Sequence, residues 1–272
     1  MKPTTRVAVL AATGIAALAA AGPAMAWAPA GTATIHPGVQ TVTDGSGQCT
    51  ANFVFQDGSD TYIGQAAHCS STGEATETDG CTAQSLPLGT KVQIAGASRP
   101  GTMVYNSWLA MQAVGETDPD ACAYNDLALV RIDPADVAGV NPSVPHYGGP
   151  AGLNTTGTTA GSRVYSYGNS SLRQGITLLS PKQGISLGDD ANGWTHTVYT
   201  VTPGIPGDSG SAFLDARGNA VGVLSTVAIA PLPASNGVGD LAKEIAWANG
   251  KGGQSIRLVA GTEPFSGGLL GI

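Results

Sequence analysis

The chain has 272 residues, a formal net charge of −7, 11% charged residues and 39 glycines. So acidic and sparsely charged a chain lacks the clustered Lys and Arg that phosphate backbones require, which argues against nucleic acid as a partner. Its length allows one large all-β domain or two small ones with a substantial core.

Residues 1–26 read as a secretory signal peptide. Lys2 and Arg6 give a short positive start, Val7 to Ala21 are almost wholly small and apolar, and Ala24-Met25-Ala26 offers a small-x-small cleavage site. The apolar run is shorter than the roughly 20 residues that span a bilayer, so cleavage is expected over anchoring. Cleavage would leave 246 residues and move the charge to −9, because two of the twelve Lys and Arg and none of the nineteen Asp and Glu are removed. No second apolar run of spanning length follows, and an extracellular mature chain with no membrane contact is expected.

Four cysteines follow the signal segment: Cys49, Cys69, Cys81 and Cys122. An even number in an exported chain points to two disulfides, for which three pairings are possible. Cys49 with Cys69 and Cys81 with Cys122 is favoured because each pair closes a loop within the first half of the chain. Such loops would contribute about 3 and about 4 kcal/mol through chain entropy. A zinc site is a weak rival, since no C-x-x-C pair occurs and the four histidines are scattered.

Short apolar segments rich in Val, Thr, Tyr and Ile, broken by Gly and Pro, give an all-β signature. Thr50 to Gln56 and Thr61 to Ala66 flank Asp57-Gly58-Ser59-Asp60 and read as two strands joined by a hairpin turn. Further strands are predicted near Lys91 to Ile94, Leu127 to Ile132, Val164 to Tyr167, Thr195 to Val201, Ala212 to Leu214 and Ala220 to Thr226. Between Asp133 and Ser162, four prolines and a polar run mark a connector between two β units. One helix is predicted: Asp240 can cap it, Leu241, Ile245 and Ala248 share a face, and Asn249-Gly250 supplies the stop. The expected division is 1–26 signal, 27–145 first β-barrel, 146–260 second β-barrel and 261–272 flexible tail.

Three blocks carry chemistry, in the order His, Asp, Ser. Gln65-Ala66-Ala67-His68-Cys69 ends a strand, Asn125-Asp126-Leu127-Ala128-Leu129-Val130 begins another, and Gly207-Asp208-Ser209-Gly210 lies between two strands. An alcohol is a poor nucleophile at neutral pH, so attack on an amide carbonyl needs a base to take the hydroxyl proton and later pass it to the leaving amine. Histidine suits both transfers, and a buried carboxylate fixes its tautomer and stabilises the imidazolium. Gly207 and Gly210 allow a sharp bend that aims the N–H groups of Gly207 and Ser209 at the oxygen that becomes negative.

On these blocks the chain resembles the chymotrypsin-like (trypsin-like) serine peptidase family, in its secreted bacterial form. Val221-Gly222-Val223-Leu224-Ser225 is similar to the family strand that follows the nucleophile, where a serine binds the buried aspartate, which makes Ser225 the candidate for that contact. The family also bridges the cysteine beside its histidine to one on the preceding strand, which supports Cys49 with Cys69. The resemblance covers most of residues 40 to 250 and implies two packed antiparallel β-barrels with the cleft between them, Asp240 to Asn249 matching the terminal helix.

The departures concern specificity and maturation. Ser211-Ala212 stands where Gly-Pro is common, and no cysteine pair braces the specificity pocket. Pro203 occupies the position six residues before the nucleophile, where trypsin-like members carry an aspartate, so cleavage after Lys or Arg is disfavoured. In animal members the residue matching Asp208 receives a newly formed amino terminus; here its partner is not identified by sequence.

The remaining candidates have bland readings. His36, His146 and His196 are expected at turns or on the surface, Glu74, Glu77 and Asp79 as solvated loop carboxylates, and Trp194, Trp247 and Tyr199 as core aromatics. No metal and no cofactor is expected. The resemblance therefore implies a secreted, monomeric serine endopeptidase acting on protein or peptide through His68, Asp126 and Ser209. The alternatives are a silent binding protein on the same fold and an esterase using the same residues.

Overall fold

The structure is a computed structural model that describes residues 1, 26–74, 77–227 and 234–268, so the expected signal peptide lies almost wholly outside it. Among the described residues no helix is long and apolar enough to cross a membrane.

The first half of the chain forms a curled antiparallel sheet. Its strands are β1 (Gln40–Thr43), β2 (Gln48–Thr50), β3 (Val54–Asp57), β4 (Asp60–Ala66), β5 (Lys91–Ile94), β6 (Gly101–Asn106) and β7 (Leu127–Arg131). Two short helices, α1 (Ser107–Val114) and α2 (Pro119–Tyr124), separate β6 from β7. The second half contributes β8 (Arg163–Tyr167), β9 (Pro181–Asp190), β10 (Thr195–Thr200), β11 (Ala212–Asp215), β12 (Ala220–Val227) and β13 (Asn236–Asp240), then α3 (Leu241–Gly250) and β14 (Arg257–Leu258). Strands β8 to β13 close into a barrel in the order β10-β13-β12-β11-β8-β9, whereas the first sheet runs β14-β3-β4-β7-β6-β5-β1-β2. This is the expected all-β architecture of two antiparallel units with a C-terminal helix.

The hairpin at Asp57 to Asp60 forms as predicted, with Asp57 paired to Asp60 and Gly58 at φ +56° in the turn. The single strand expected over Thr50 to Gln56 is instead broken at Ala51 to Phe53. There the Asn52 side chain accepts the Phe53 N–H at 2.7 Å and competes with the ladder. Strand β7 reads Leu-Ala-Leu-Val because both its faces are covered; only Arg131 at its end is exposed.

Interior side chains of the first sheet, among them Val54, Ile63, Met103 and Val130, make one core. Val164, Val198, Phe213, Leu224 and Val238 fill the barrel. A third and larger cluster joins the two, bringing Phe55, Tyr105 and Leu127 together with Tyr147, Tyr165, Leu214 and Trp247. The two units are thus joined by shared apolar burial.

Both disulfides have the favoured pairing, Cys49–Cys69 and Cys81–Cys122. Of the expected tail, residues 262–266 are tied to the body of the chain. Thr262 and Glu263 N–H groups both donate to Ser143 Oγ at 2.9 Å, Ser266 N donates to Tyr147 O, and Phe265 stacks edge-on against Tyr165. Strand β14 likewise crosses back to pair with β3, covering an edge that would otherwise expose unpaired backbone groups.

Candidate active site

Pairing of β4 with β7 sets Ala66 opposite Leu127, so the residues just beyond the ladder, His68 and Asp126, meet across the strand ends. His68 lies on a 3-10 turn (Ala67–Ser70) closed by the Cys49–Cys69 bridge. Asp126 is buried at 3% exposure and accepts two bonds from His68: the backbone N–H to Oδ1 at 2.9 Å and Nδ1 to Oδ2 at 2.7 Å. Ser225, from β12 of the other unit, donates its hydroxyl to the same Oδ2 at 2.5 Å. The Nδ1 contact fixes which ring nitrogen carries the proton and leaves Nε2 as the free base. Burial opposes charge on His68, but the adjacent Asp126 carboxylate and its hydrogen bond outweigh it and raise the imidazole above its ordinary 6.5.

Ser209 lies in the turn before β11. Gly207 and Gly210 hold φ of +92° and +88°, conformations that side-chain-bearing residues resist. At Gly210 the constraint is also one of contact, since a Cβ there would come within 2.4 Å of Thr50 O and 3.0 Å of Ala66 N. That approach, with the Thr50 N–H donating to Ser209 O at 2.8 Å, seats the turn against β2 and the end of β4, next to the turn that carries His68. Among the described residues the Ser209 hydroxyl has no hydrogen-bond partner, so Ser209 and His68 are not hydrogen-bonded to each other, a contact that in such pairs commonly tightens only with a ligand bound.

The peptide planes of the turn are individually held. Ser170 Oγ donates to Pro206 O at 2.5 Å, while the Ser211 hydroxyl and N–H donate to Asp208 O at 2.5 and 3.0 Å. In a trans peptide the carbonyl and the following N–H point to opposite sides. The N–H groups of Gly207 and Ser209 therefore face away from these anchors, and among the described residues neither has an acceptor. Ser211 does work here that a Gly-Pro sequence could not.

Asp208 is the centre of a buried ionic cluster. Its carboxylate meets the Arg173 guanidinium and, at 3.1 Å, Lys182 Nζ, and it accepts the N–H groups of Ser170 and Ile205 at 3.0 and 3.1 Å. Lys182 is wholly buried and also donates to Thr202 O at 3.1 Å and Pro203 O at 3.2 Å. Burial lowers its pKa, which Asp208 partly restores. Arg173 and Lys182 escaped the sequence reading, although a clue existed: from Val137 to Gly188 there are three cations and no Asp or Glu. Such uncompensated cations need partners from elsewhere in the chain.

Pro203 thus lies in the segment leading to the nucleophile, its carbonyl fixed by Lys182. The neighbouring Gly204 N–H donates to Asn236 Oδ1 at 3.0 Å. In the segment that follows Ser225, the Val227 side chain and Ile229, Pro231 and Leu232 lie outside the described residues. His36 is half-buried and His146 exposed, whereas His196, expected at the surface, is fully buried between Asp189 and Asp240, because two carboxylates and Thr158 satisfy its ring nitrogens. Two groups could resemble metal ligand sets, Cys49-His68-Cys69 and Asp79-Cys81-Cys122. All four cysteines are oxidised, so neither offers a thiolate.

No family model and no curated protein matches the chain. Among solved structures, protease A of Thermobifida fusca superposes with a TM-score of 0.53 at 20% identity, over 84% of this chain and 99% of that one. The chymotrypsin of Cellulomonas bogoriensis gives 0.49 at 19%, over 83% and 98%, and the Nocardiopsis protease 0.47 at 18%, over 82% and 98%. With one curled sheet, one closed barrel and a terminal helix, the chain has the fold of the chymotrypsin-like serine peptidases.

Proposed function

We propose that this protein is a secreted serine endopeptidase that cleaves peptide bonds through Ser209, His68 and Asp126. The observation that carries the reading is the convergence of Asp126 with His68 Nδ1 and Ser225 beside a turn whose Gly207 and Ser209 N–H groups have no acceptor among the described residues. In this scheme His68 Nε2 takes the Ser209 proton as Oγ attacks the scissile carbonyl. Asp126 stabilises the resulting imidazolium, and the two N–H groups receive the oxyanion. His68 then protonates the leaving amine, and water resolves the acyl-enzyme by the same route. Export is supported by the leader composition and by two disulfides, which persist in oxidising compartments.

The test is a fluorophosphonate probe applied to the mature protein. Stoichiometric labelling at Ser209 is expected, with loss of labelling in both Ser209→Ala and His68→Ala. Labelling that persists in Ser209→Ala sinks the assignment. A peptide library then separates peptidase from esterase, cleavage of unesterified peptides being the expected result.

A further inference from the structure

Outside the residues used above, one buried acid presses directly on the site. Glu244, in the first turn of α3, is fully buried, and its Oε1 accepts the backbone N–H of Asp126 at 3.0 Å. Its other oxygen has no partner among the described residues. The space it occupies is reserved by Gly239, where a Cβ would come within 2.7 Å of Glu244 Oε1 and 3.0 Å of Tyr124 O. Asp126 is thereby held at three points: its carbonyl by the Ala67 N–H at 2.9 Å, its carboxylate by His68 and Ser225, and its amide by Glu244. Only the last comes from α3, so the terminal helix is tied to the acid beside the histidine.

We propose that Glu244 is a positioning residue of the Ser209 site, fixing the Asp126 peptide so that its carboxylate stays aligned with His68. This inference rests on the Ser-His-Asp reading above. The groups facing Glu244 are Asp126 beside β7, Asp240 at the α3 cap and Tyr105 of β6. Burial, with the charges of Asp126 and Asp240, pushes the Glu244 carboxyl well above the usual carboxylate range. This direction favours the neutral form, which still accepts at Oε1 and places no second negative charge beside the Asp126 carboxylate.

Two variants separate this role from simple packing. Glu244→Met keeps the shape and removes the acceptor; Glu244→Gln keeps the acceptor and cannot ionise. For Glu244→Met, kcat on a peptide substrate should fall about 10- to 100-fold with KM little changed, as misplacement of a catalytic group does. The acid limb of its pH profile should move to lower pH, because His68 loses an aligned counter-charge. Glu244→Gln should keep both quantities near wild type. An active Glu244→Met with an unmoved profile overturns the proposal, as does a Glu244→Gln as impaired as Glu244→Met. If the methionine variant does not fold, the glutamine variant decides: wild-type kcat and profile support the proposal, and a fall in either overturns it. Failure of the underlying reading looks different, since Ser209→Ala would then retain turnover.

Discussion

At the scale of single residues, the site pairs each charge with a named partner, and its pH behaviour follows from those pairs. As the proposed base, His68 would act only when neutral, and Asp126 raises its pKa above 6.5. Activity should therefore rise with pH through a midpoint above that value. In Asp126→Asn the midpoint should fall and kcat should drop by about 10⁴, as when the orienting carboxylate is lost from such a triad. A pH series of kcat/KM on both proteins checks the sign; a midpoint that rises in the variant contradicts the pairing. Asp208 makes the complementary case for stability. Removing its charge in Asp208→Asn leaves buried Lys182 and Arg173 without a counter-ion, an arrangement that costs about 3–5 kcal/mol. Urea unfolding of the Ser209→Ala background avoids self-digestion, and a loss below about 1 kcal/mol would show that the cluster is not holding the turn. The three blocks around His68, Asp126 and Ser209 were legible in the sequence because each is local. The partners of Asp208 were not, since Arg173 lies in the loop between β8 and β9 and Lys182 on β9, far from Asp208 in sequence and without a local motif.

At the scale of elements, what could be read depended on whether local chemistry or tertiary context decided the conformation. Helix α3 was readable, with Asp240 accepting the Lys243 N–H at 2.8 Å and an apolar face of Leu241, Ile245 and Ala248. Helices α1 and α2 were missed because they are short and held from outside, α1 by burial of Trp108 and Met111 and α2 by the Cys81–Cys122 bridge. Strands β9 and β13 carry glycines and lack clean alternation, and form because the barrel closes around them. His196 ties three of these elements together, bonded to Asp189 at the end of β9 at 2.7 Å and to the α3 cap Asp240 at 3.0 Å. Burial opposes its charge, but the two carboxylates raise its pKa above 6.5. A raised folded-state pKa contributes stability fully below the unfolded value of 6.5, and that stability is lost as pH rises through the folded value. The melting temperature of the wild type relative to His196→Gln should therefore be highest in mild acid and decline toward alkaline pH. Parallel melting curves across that range would exclude the charged cluster.

For the whole molecule, the same ionic cluster bears on which substrates the proposed peptidase would accept. Arg173 and Lys182 share one carboxylate, so cationic groups outnumber anionic ones behind the Thr202–Pro203 segment that leads to Ser209. Lys182 directs its three donors into the protein, toward Asp208 and the two carbonyls, which makes it a source of field with no site to offer a ligand. No Asp or Glu occurs between Trp194 and Gly207, so that wall provides no carboxylate to offset a buried substrate cation. A cation entering there would lose its hydration, meet no counter-charge and be repelled by Lys182, each effect opposing binding and none restoring it. Matched peptides carrying Leu, Ala, Lys or Arg before the scissile bond should accordingly rank with Leu or Ala ahead, by kcat/KM in direct competition. Preference for Lys or Arg by tenfold, about 1.4 kcal/mol in transition-state binding, would mean that a carboxylate reaches the pocket from outside this wall. Salt supplies an independent check, because repulsion through the low-dielectric wall is screened far less than repulsion between surface charges. The penalty against Lys and Arg should then persist from dilute buffer to about 0.15 M salt, whereas a penalty arising from surface charge would shrink over that range.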